Sequence, residues 1–196
     1  LQVEHPVTEA VTGFDLVEMQ LRVAAGEPLP VAQSDVRISG HAIEVRIVAE
    51  NPATNWMPST GLITAFEISD DVRTDTGIRS GAEVSPNYDS LLAKVISFAQ
   101  TRHDAARQLA RALRSAQITG VDTNVNMLVA TLGERDFLAA DTPTAYLAEH
   151  PAVLTPAGPM GDDRVALLLG AVFAAERRNR EADPHHGFAP SGFRNL

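Results

Sequence analysis

The spacing of apolar residues changes twice along this chain. In residues 15–25 apolar side chains recur at the spacing of an amphipathic helix. From residue 40 to residue 98 they recur at every second position, as in Ile43, Val45 and Ile47, which is typical of half-buried strands. From residue 104 the helical spacing returns. Several strands followed by helices predict an α+β domain.

Turn residues, together with the helical and the alternating spacing of apolar residues, predict the helices and strands. Asp15 can cap the first helix, and Gly26 with the prolines that follow it ends that helix. Stretches rich in proline and glycine predict linkers at residues 26–35 and 151–163. The predicted strands are one from residue 40 and then 62–68, 72–75, 78–84 and 91–98; the predicted helices are 15–25, 104–116, 124–132, 142–149 and 165–181.

The first nine residues contain an amide, two carboxylates and an imidazole. Gln2 and Glu4 alternate with Val3, which predicts the last part of an extended strand with both polar side chains on one face. Pro6 cannot donate to a strand partner, so this strand should stop near His5. Such a strand end could accept a proton and orient a small polar ligand. The alternative is a polar strand end that continues into a solvated loop.

Glu44 and Arg46 lie two apart in the strand that begins at residue 40, so their side chains share a face. They form either an exposed ion pair or part of a site. Exposed ion pairs contribute only about 0–1 kcal/mol, and stability alone is therefore a weak reason for this pairing.

Composition excludes several functional classes. The formal charge of −9 argues against a nucleic-acid surface, which needs a basic face. Cysteine is absent, which excludes disulfides and thiolate nucleophiles. The apolar runs are shorter than the roughly 20 residues that span a bilayer, so we expect a cytoplasmic protein without a membrane partner. The chain starts without methionine in a polar stretch, and we therefore expect it to be cut from something longer.

Short segments spread over residues 1–150 occur in a characteristic order. They are LQVEHPVTE at 1–9, TGFDLV at 12–17, GHAIEVRIVAENP at 40–52, PSTG at 58–61, YDSLLAK at 88–94 and TGVDTN at 119–124. This set resembles the motifs of the biotin carboxylase family. The first two resemble the end of its ATP-grasp core, and the third resembles the start of its C-terminal subdomain.

The residues after 150 carry a second resemblance. A helix that follows a linker, and then residues 187–196, look like the segment of bacterial acyl-CoA carboxylase alpha subunits (acetyl- or propionyl-CoA type) that leads toward the biotin carrier region. The resemblance thus implies the C-terminal end of an ATP-grasp core at 1–38, the β-rich C-terminal subdomain with packed helices at 39–150, and a linker and helix at 151–196.

The resemblance also implies roles for the N-terminal residues. Biotin carboxylases use ATP, magnesium and bicarbonate to carboxylate a biotin that is tethered to a carrier protein. By position in the motif, Gln2 and the backbone of Val3 would hold bicarbonate. Glu4 would be the general base that removes its proton, a task for which burial and nearby charge can tune a carboxylate. His5 would support Glu4.

Arg46 falls where the family stabilises the negative charge that develops on biotin, which suits a permanently charged guanidinium. Glu44 would orient it. The family's nucleotide-binding and metal-binding residues precede the stretch that matches Leu1. The resemblance therefore implies no metal site in this chain, no ATP, magnesium or biotin bound to it alone, and no ATP-dependent activity of the isolated piece.

The implied partners are a biotin carboxyl carrier domain, a carboxyltransferase subunit and further copies of the same chain. An acyl-CoA carboxylase of this type would serve fatty acid biosynthesis. Two alternatives stay open. The chain could be a non-catalytic dimerisation or assembly module, or the equivalent part of a pyruvate or urea carboxylase.

Overall fold

The computed structural model describes residues 1–155 and 162–182. Residues 1–156 form one compact unit, and residues 157–196 form a second. The α+β class predicted from the apolar spacing is confirmed by the mixture of helices and antiparallel strands in the first unit.

The described helices are α1 (Pro6–Thr12), α2 (Leu16–Ala24), α3 (Arg102–Ser115), α4 (Val125–Thr131), α5 (Arg135–Leu138), α6 (Tyr146–Glu149) and α7 (Asp162–Ala182), with short 3-10 turns at Gln33–Asp35, Pro52–Thr54 and Pro151–Val153. The described strands are β1 (His41–Val48), β2 (Glu50–Asn51), β3 (Met57–Pro58), β4 (Gly61–Leu62), β5 (Ala65–Glu67), β6 (Arg73–Thr76), β7 (Glu83–Val84), β8 (Leu91–Ala99) and β9 (Gln117–Thr119).

The main sheet has three antiparallel strands in the order β1-β8-β6. One face packs on α3, with Ile47, Val95 and Leu109 fully buried in the core between them. Ser97 reaches across this interface and donates its hydroxyl to the carbonyl of Ala105 at 2.9 Å. Helix α1 and several charged side chains lie on the opposite face of the sheet.

The strand predicted at 62–68 is divided in the structure because the chain changes its partner, and the strand predicted at 78–84 is reduced to β7. The stretch predicted at 62–68 divides into β4, which pairs with β7, and β5, which pairs with β9. Between them, the Ile63 amide donates to the carbonyl of Ala82, whereas the Thr64 amide donates to that of Thr119. The three-residue strand β9 was not predicted from the sequence.

The strand predicted at the N-terminus is wrong. Residues 3–5 form a turn, in which the His5 amide donates to the Gln2 carbonyl at 3.3 Å, and α1 begins directly afterwards at Pro6. Proline suits the first position of a helix, because its ring fixes a helical φ and the N–H it lacks would have no partner there. Helix α1 packs on β1 and β8, and the Ser39 amide donates to its Val11 carbonyl.

The next helix follows the prediction closely. Asp15 precedes α2 and accepts a hydrogen bond from the Glu18 amide at 2.8 Å, which is the capping role expected of it. None of the residues of α2 is buried, and Val17 and Leu21 are respectively 50% and 68% exposed.

In the second unit, α7 confirms the helix predicted at 165–181. Part of the linker predicted at 151–163, and the segment 187–196, lie outside the described residues. Among the helices that the structure describes, none is both long enough and apolar enough to cross a membrane.

Candidate functional site

The face of the three-stranded sheet opposite α3 carries a row of charged side chains. Arg46 on β1 lies directly opposite Lys94 on β8, and Lys94 lies directly opposite Asp75 on β6. Residues that face each other in this way project on the same side of a sheet. Glu44 is on that side too, since it lies two positions before Arg46.

The N-terminal turn places a carboxylate against this row. Arg46 Nη2 donates to Glu4 Oε2 at 3.2 Å, and both side chains are about half exposed, at 51% and 55%. The two residues are far apart in the sequence, and the packing of α1 on β1 brings them together. The structure therefore joins two of the residues that the sequence singled out for separate reasons.

Glu44 contacts the same arginine from the interior. Its side chain is only 5% exposed, and its Oε1 lies 3.6 Å from Arg46 Nε. Burial raises the pKa of Glu44 above its ordinary value, while the charges of Arg46 and Lys94 act in the opposite direction. Among the described residues, no group donates a hydrogen bond to its buried Oε2. Arg46 thus lies between a buried and an exposed carboxylate.

His5 contacts Gln2 and Thr8, and through them it stabilises the N-terminal turn. Its Nε2 lies 3.1 Å from Gln2 Oε1, and its Nδ1 lies 3.1 Å from Thr8 Oγ1. Because an amide oxygen only accepts, Nε2 carries the proton and Nδ1 accepts from the threonine hydroxyl. Any support that His5 gives to Glu4 is therefore indirect, through the turn that contains Gln2, Val3 and Glu4.

A second set of ion pairs fastens α1 to the far strand of the sheet. Arg73 on β6 donates to both carboxylate oxygens of Asp75, at 2.9 and 3.0 Å, and to Glu9 on α1 at 2.8 Å. Lys94 Nζ lies 3.2 Å from Asp75. Burial alone would raise the pKa of Asp75, but the hydrogen bonds from Arg73 and Lys94 bring it below its ordinary value. This network holds α1, and with it the N-terminal turn, over the sheet.

Asn124 is a residue near the site that sequence reasoning missed. It is 5% exposed, its side-chain nitrogen donates to the Arg46 carbonyl at 3.0 Å, and its side-chain oxygen accepts from the Val48 amide at 3.0 Å. The sequence offered one signal, its place in the segment 119–124. Nothing in that segment indicated which strand the side chain would reach.

The exposed donors of this face suit the oxygens of an anionic ligand. Arg46 offers an exposed guanidinium, and its carboxylate neighbours can accept a proton or fix its orientation. Among residues 1–155 and 162–182, no group of three or more histidine, aspartate or glutamate side chains is arranged to hold a metal ion.

Comparison with known proteins gives two family matches. Residues 44–149 match the model of the biotin carboxylase C-terminal domain. Residues 1–32 match the model of the ATP-binding domain of the carbamoyl-phosphate synthase L chain. The first match covers more than half of the chain, and it includes both Glu44 and Arg46.

Individual relatives agree with this match. A biotin carboxylase of Halalkalibacterium halodurans is 46% identical over 81% of this chain and 35% of its own length. The alpha subunit of mitochondrial methylcrotonoyl-CoA carboxylase of Dictyostelium discoideum is 38% identical over 98% of this chain and 28% of its own length.

A solved structure agrees as well. The biotin carboxylase domain dimer of Hydrogenobacter thermophilus 2-oxoglutarate carboxylase, in complex with MgADP, ADP and bicarbonate, is 40% identical with a TM-score of 0.78. The match covers 81% of this chain and 35% of that one. The chain therefore spans about a third, or less, of the length of these relatives.

Proposed function

This chain belongs to the biotin carboxylase C-terminal domain family, and we propose that it forms the C-terminal part of an ATP-dependent biotin carboxylase. The whole enzyme would be the component of an acyl-CoA carboxylase that carboxylates carrier-bound biotin. The observation that carries this proposal is the 3.2 Å contact between Glu4 and Arg46. This contact places Glu4, the proposed base for bicarbonate, beside Arg46, the proposed cation that stabilises the charge on biotin.

The N-terminal turn would bind and deprotonate bicarbonate. The Gln2 amide and the Val3 backbone hold the anion, and Glu4 accepts its proton. His5 keeps the Gln2 side chain in place through its 3.1 Å hydrogen bond. Since Glu4 is about half exposed, a small anion can reach it from solvent.

Arg46 would stabilise the negative charge that develops on the ureido oxygen of biotin. Its guanidinium is about half exposed, and its Nε faces the buried Glu44. A buried carboxylate on one side restricts the orientation of the guanidinium and leaves its outer edge for a ligand. Glu44 is in this proposal a positioning residue.

MgATP supplies the free energy that activates bicarbonate for transfer to biotin. We assign the groups that bind it to the family's segments that precede the stretch matching residues 1–9. We also propose a division into an ATP-grasp end at 1–38, a C-terminal subdomain at 39–150 and a linker with a helix at 151–196. The separate family matches at 1–32 and 44–149 support its first two parts.

The proposed partners are a biotin carboxyl carrier domain, a carboxyltransferase subunit and a second copy of the same protein, in the cytoplasm and in fatty acid biosynthesis. The similarity to an acyl-CoA carboxylase alpha subunit over 98% of this chain supports the first two. The dimer described for the related 2-oxoglutarate carboxylase domain supports the third.

A non-catalytic assembly module is the second candidate function. The observation that favours it is the apolar surface of α2, which has no buried residue. In this alternative Glu4 and Arg46 would be without effect on any reaction, so substitution of these residues distinguishes the two candidates.

A chimaera tests the proposed function. This chain replaces the matching 35% of the Halalkalibacterium halodurans biotin carboxylase, and ATP-dependent and bicarbonate-dependent carboxylation of biotin is measured. We expect carboxylation by the chimaera and none by this chain alone. Glu4→Gln and Arg46→Gln should each lower kcat about 100-fold or more, because each removes a group that acts in the transition state.

Arg107→Gln is the matched control, since it also breaks an exposed arginine–carboxylate pair, with Asp104 on α3, and we expect it to keep full activity. A chimaera that unfolds cooperatively on heating but does not carboxylate biotin would contradict the proposal. Loss of activity in the control, or full activity in Glu4→Gln, would contradict the assigned site.

A further inference from the structure

Arg46 lies in a strand whose backbone is held by a side chain from a distant helix. We propose that Asn124 is a positioning residue that fixes the strand backbone at Arg46 and thereby sets the guanidinium against Glu4. The consequence for catalysis rests on the proposed function, whereas the consequence for the geometry of Arg46 does not.

The Asn124 side chain spans one residue of β1. Its Nδ2 donates to the Arg46 carbonyl and its Oδ1 accepts from the Val48 amide, both at 3.0 Å. The Asn124 amide adds a longer contact of 3.4 Å to the Val48 carbonyl. Asn124 therefore binds the strand on both sides of Ile47, in the pattern that a neighbouring strand would use.

These hydrogen bonds occur at the end of β1, where the strand is least constrained by its pairing with β8. Among the described strands β1 pairs with β8 alone, so its other edge is open. Its pairing with β8 is regular from His41 to Ile47 and shifts register between Ile47 and Val48. An irregular ladder leaves the end of the strand less constrained. Asn124 supplies the missing constraint one residue after Arg46.

The N-terminus of α4 shows that the Asn124 side chain bonds to β1 and does not cap its own helix. Asn124 occupies the N-cap position of α4, where asparagine normally accepts a hydrogen bond from an amide of the first turn. Here its side chain makes no capping bond, although its backbone carbonyl accepts from the Leu128 amide. The side chain bonds to β1 instead of to its own helix.

The chemistry requires an amide. One end of the side chain has to donate and the other has to accept, and among side chains of this length asparagine alone carries both. Asn124→Asp keeps an acceptor for the Val48 amide but presents an oxygen to the Arg46 carbonyl. Asn124→Ala removes both partners and leaves two partly buried backbone groups without these hydrogen bonds. The two variants thus separate the contact at Val48 from the contact at Arg46.

The structural arm of the test uses NMR on this chain. We expect the Arg46 Nε–H signal of the wild type to show a restrained side chain, and to become mobile in both variants. Amide exchange of Val48 should rise about fivefold or more in Asn124→Ala, from the loss of one hydrogen bond, and less in Asn124→Asp. An Arg46 signal that does not change in either variant would overturn the inference.

The catalytic arm uses the chimaera. We expect both Asn124 variants to lower kcat for biotin carboxylation by about 10- to 100-fold, because small displacements of a reacting group are costly. The KM values for ATP and bicarbonate should stay within about twofold, since Arg46 acts in the transition state. Cleavage of ATP with bicarbonate but without biotin should also continue.

Ser97→Ala is the matched control, because Ser97 is also polar and buried and the substitution removes its one buried hydrogen bond, to the Ala105 carbonyl. It should lower stability without lowering kcat. Equal losses of kcat in Ser97→Ala and Asn124→Ala would overturn the inference. If the unsubstituted chimaera does not carboxylate biotin, the proposed function fails, and the NMR comparison still decides the role of Asn124.

Discussion

The two carboxylates that flank Arg46 differ in their surroundings, and so in the role each can take. Glu4 is about half exposed and can exchange protons with a ligand, whereas Glu44 is 5% exposed. Burial raises the pKa of Glu44, so Glu44 binds its proton more tightly in the folded chain than in the unfolded chain. The contribution of Glu44 to stability is therefore largest at pH values below its unfolded pKa and is lost as the pH rises through its folded pKa.

Glu44→Gln should separate stability from activity. At pH 7.5 to 8 we expect the free energy of unfolding of this chain to stay the same or rise by about 1 kcal/mol or less, because a buried carboxylate is replaced by a neutral group of the same shape. In the chimaera kcat should fall about tenfold, since the orientation of Arg46 is less restricted. Urea unfolding and steady-state kinetics measure the two effects.

Glu67→Gln, at an exposed position of β5, is the control for removing one negative charge. A Glu44→Gln chain that is markedly less stable at high pH, with an unchanged kcat, would show that Glu44 serves the fold and does not position Arg46.

At the scale of elements, the segment from α5 to α6 is held by a histidine whose two ring nitrogens both face acceptors. His150 Nδ1 lies 2.9 Å from the Tyr146 carbonyl, and Nε2 lies 3.1 Å from the Asp136 carboxylate. Both contacts require an N–H, and only the imidazolium form has two. The hydrogen bonds to Tyr146 and Asp136, with the nearby charges of Asp136 and Glu134, raise the pKa of His150 above its ordinary value.

The pH dependence follows from this shift. The stabilisation is fully present below the unfolded-state pKa of about 6.5 and is lost as the pH rises through the higher folded-state pKa. We expect the urea midpoint of the wild type to fall between pH 5.5 and pH 8, and to fall less in His150→Gln. His103→Gln, an exposed histidine on α3, is the control. An NMR titration that places the pKa of His150 at or below its ordinary value would refute this explanation.

The sequence predicted best those elements whose local pattern of apolar residues is sufficient to specify the helix or strand. Helix α3 buries Ala105, Leu109 and Leu113 in the helical spacing that predicted it. Strand β8 is central in the sheet, and most of its residues are apolar, with Lys94 and Ser97 as the polar exceptions. Here local pattern and tertiary burial agree, and the prediction required no knowledge of the partner.

The N-terminal segment and β9 were missed because their structure depends on distant residues. The alternation at Gln2–Glu4 looks like a strand, but the Glu4 side chain contacts Arg46 from a turn. Strand β9 exists because residues 65–67 are available to pair with it. For the site, Arg46 and Glu44 were predicted to share a face, and they do. The hydrogen bonds of Asn124 join positions more than 70 residues apart, which no local pattern indicates.

At the scale of the whole molecule, α2 buries none of its residues among the described ones. Val17, Leu21 and Val23 are each roughly half exposed or more, and exposed apolar surface of this kind favours association. The matched part of this chain covers only 35% of the length of each of two relatives. We propose that their additional length covers α2 and that the isolated chain instead covers it by self-association.

Leu21→Glu should weaken that association. Leu21 is the most exposed apolar residue of α2, at 68%, and a carboxylate at this position places a charge in any contact formed by the helix. We expect a larger share of monomer in sedimentation velocity and light scattering at the same concentration. Gln20→Glu adds the same charge at a neighbouring exposed position and should have a smaller effect. A wild-type chain that is strictly monomeric at high concentration would contradict the expectation.

The row of charges on the sheet has a further consequence for how such a chain can evolve. Arg46 and Lys94 face each other directly across β1 and β8, an arrangement of like charges that lowers the stability of a sheet. Glu4, Glu44 and Asp75 offset part of this repulsion from the sides. A neutral residue in place of either cation would relieve this repulsion, but it would also leave neighbouring carboxylates without their partner and weaken the attraction for an anion. The two cations are therefore coupled to the carboxylates around them, and a change at one of these positions favours a compensating change at another.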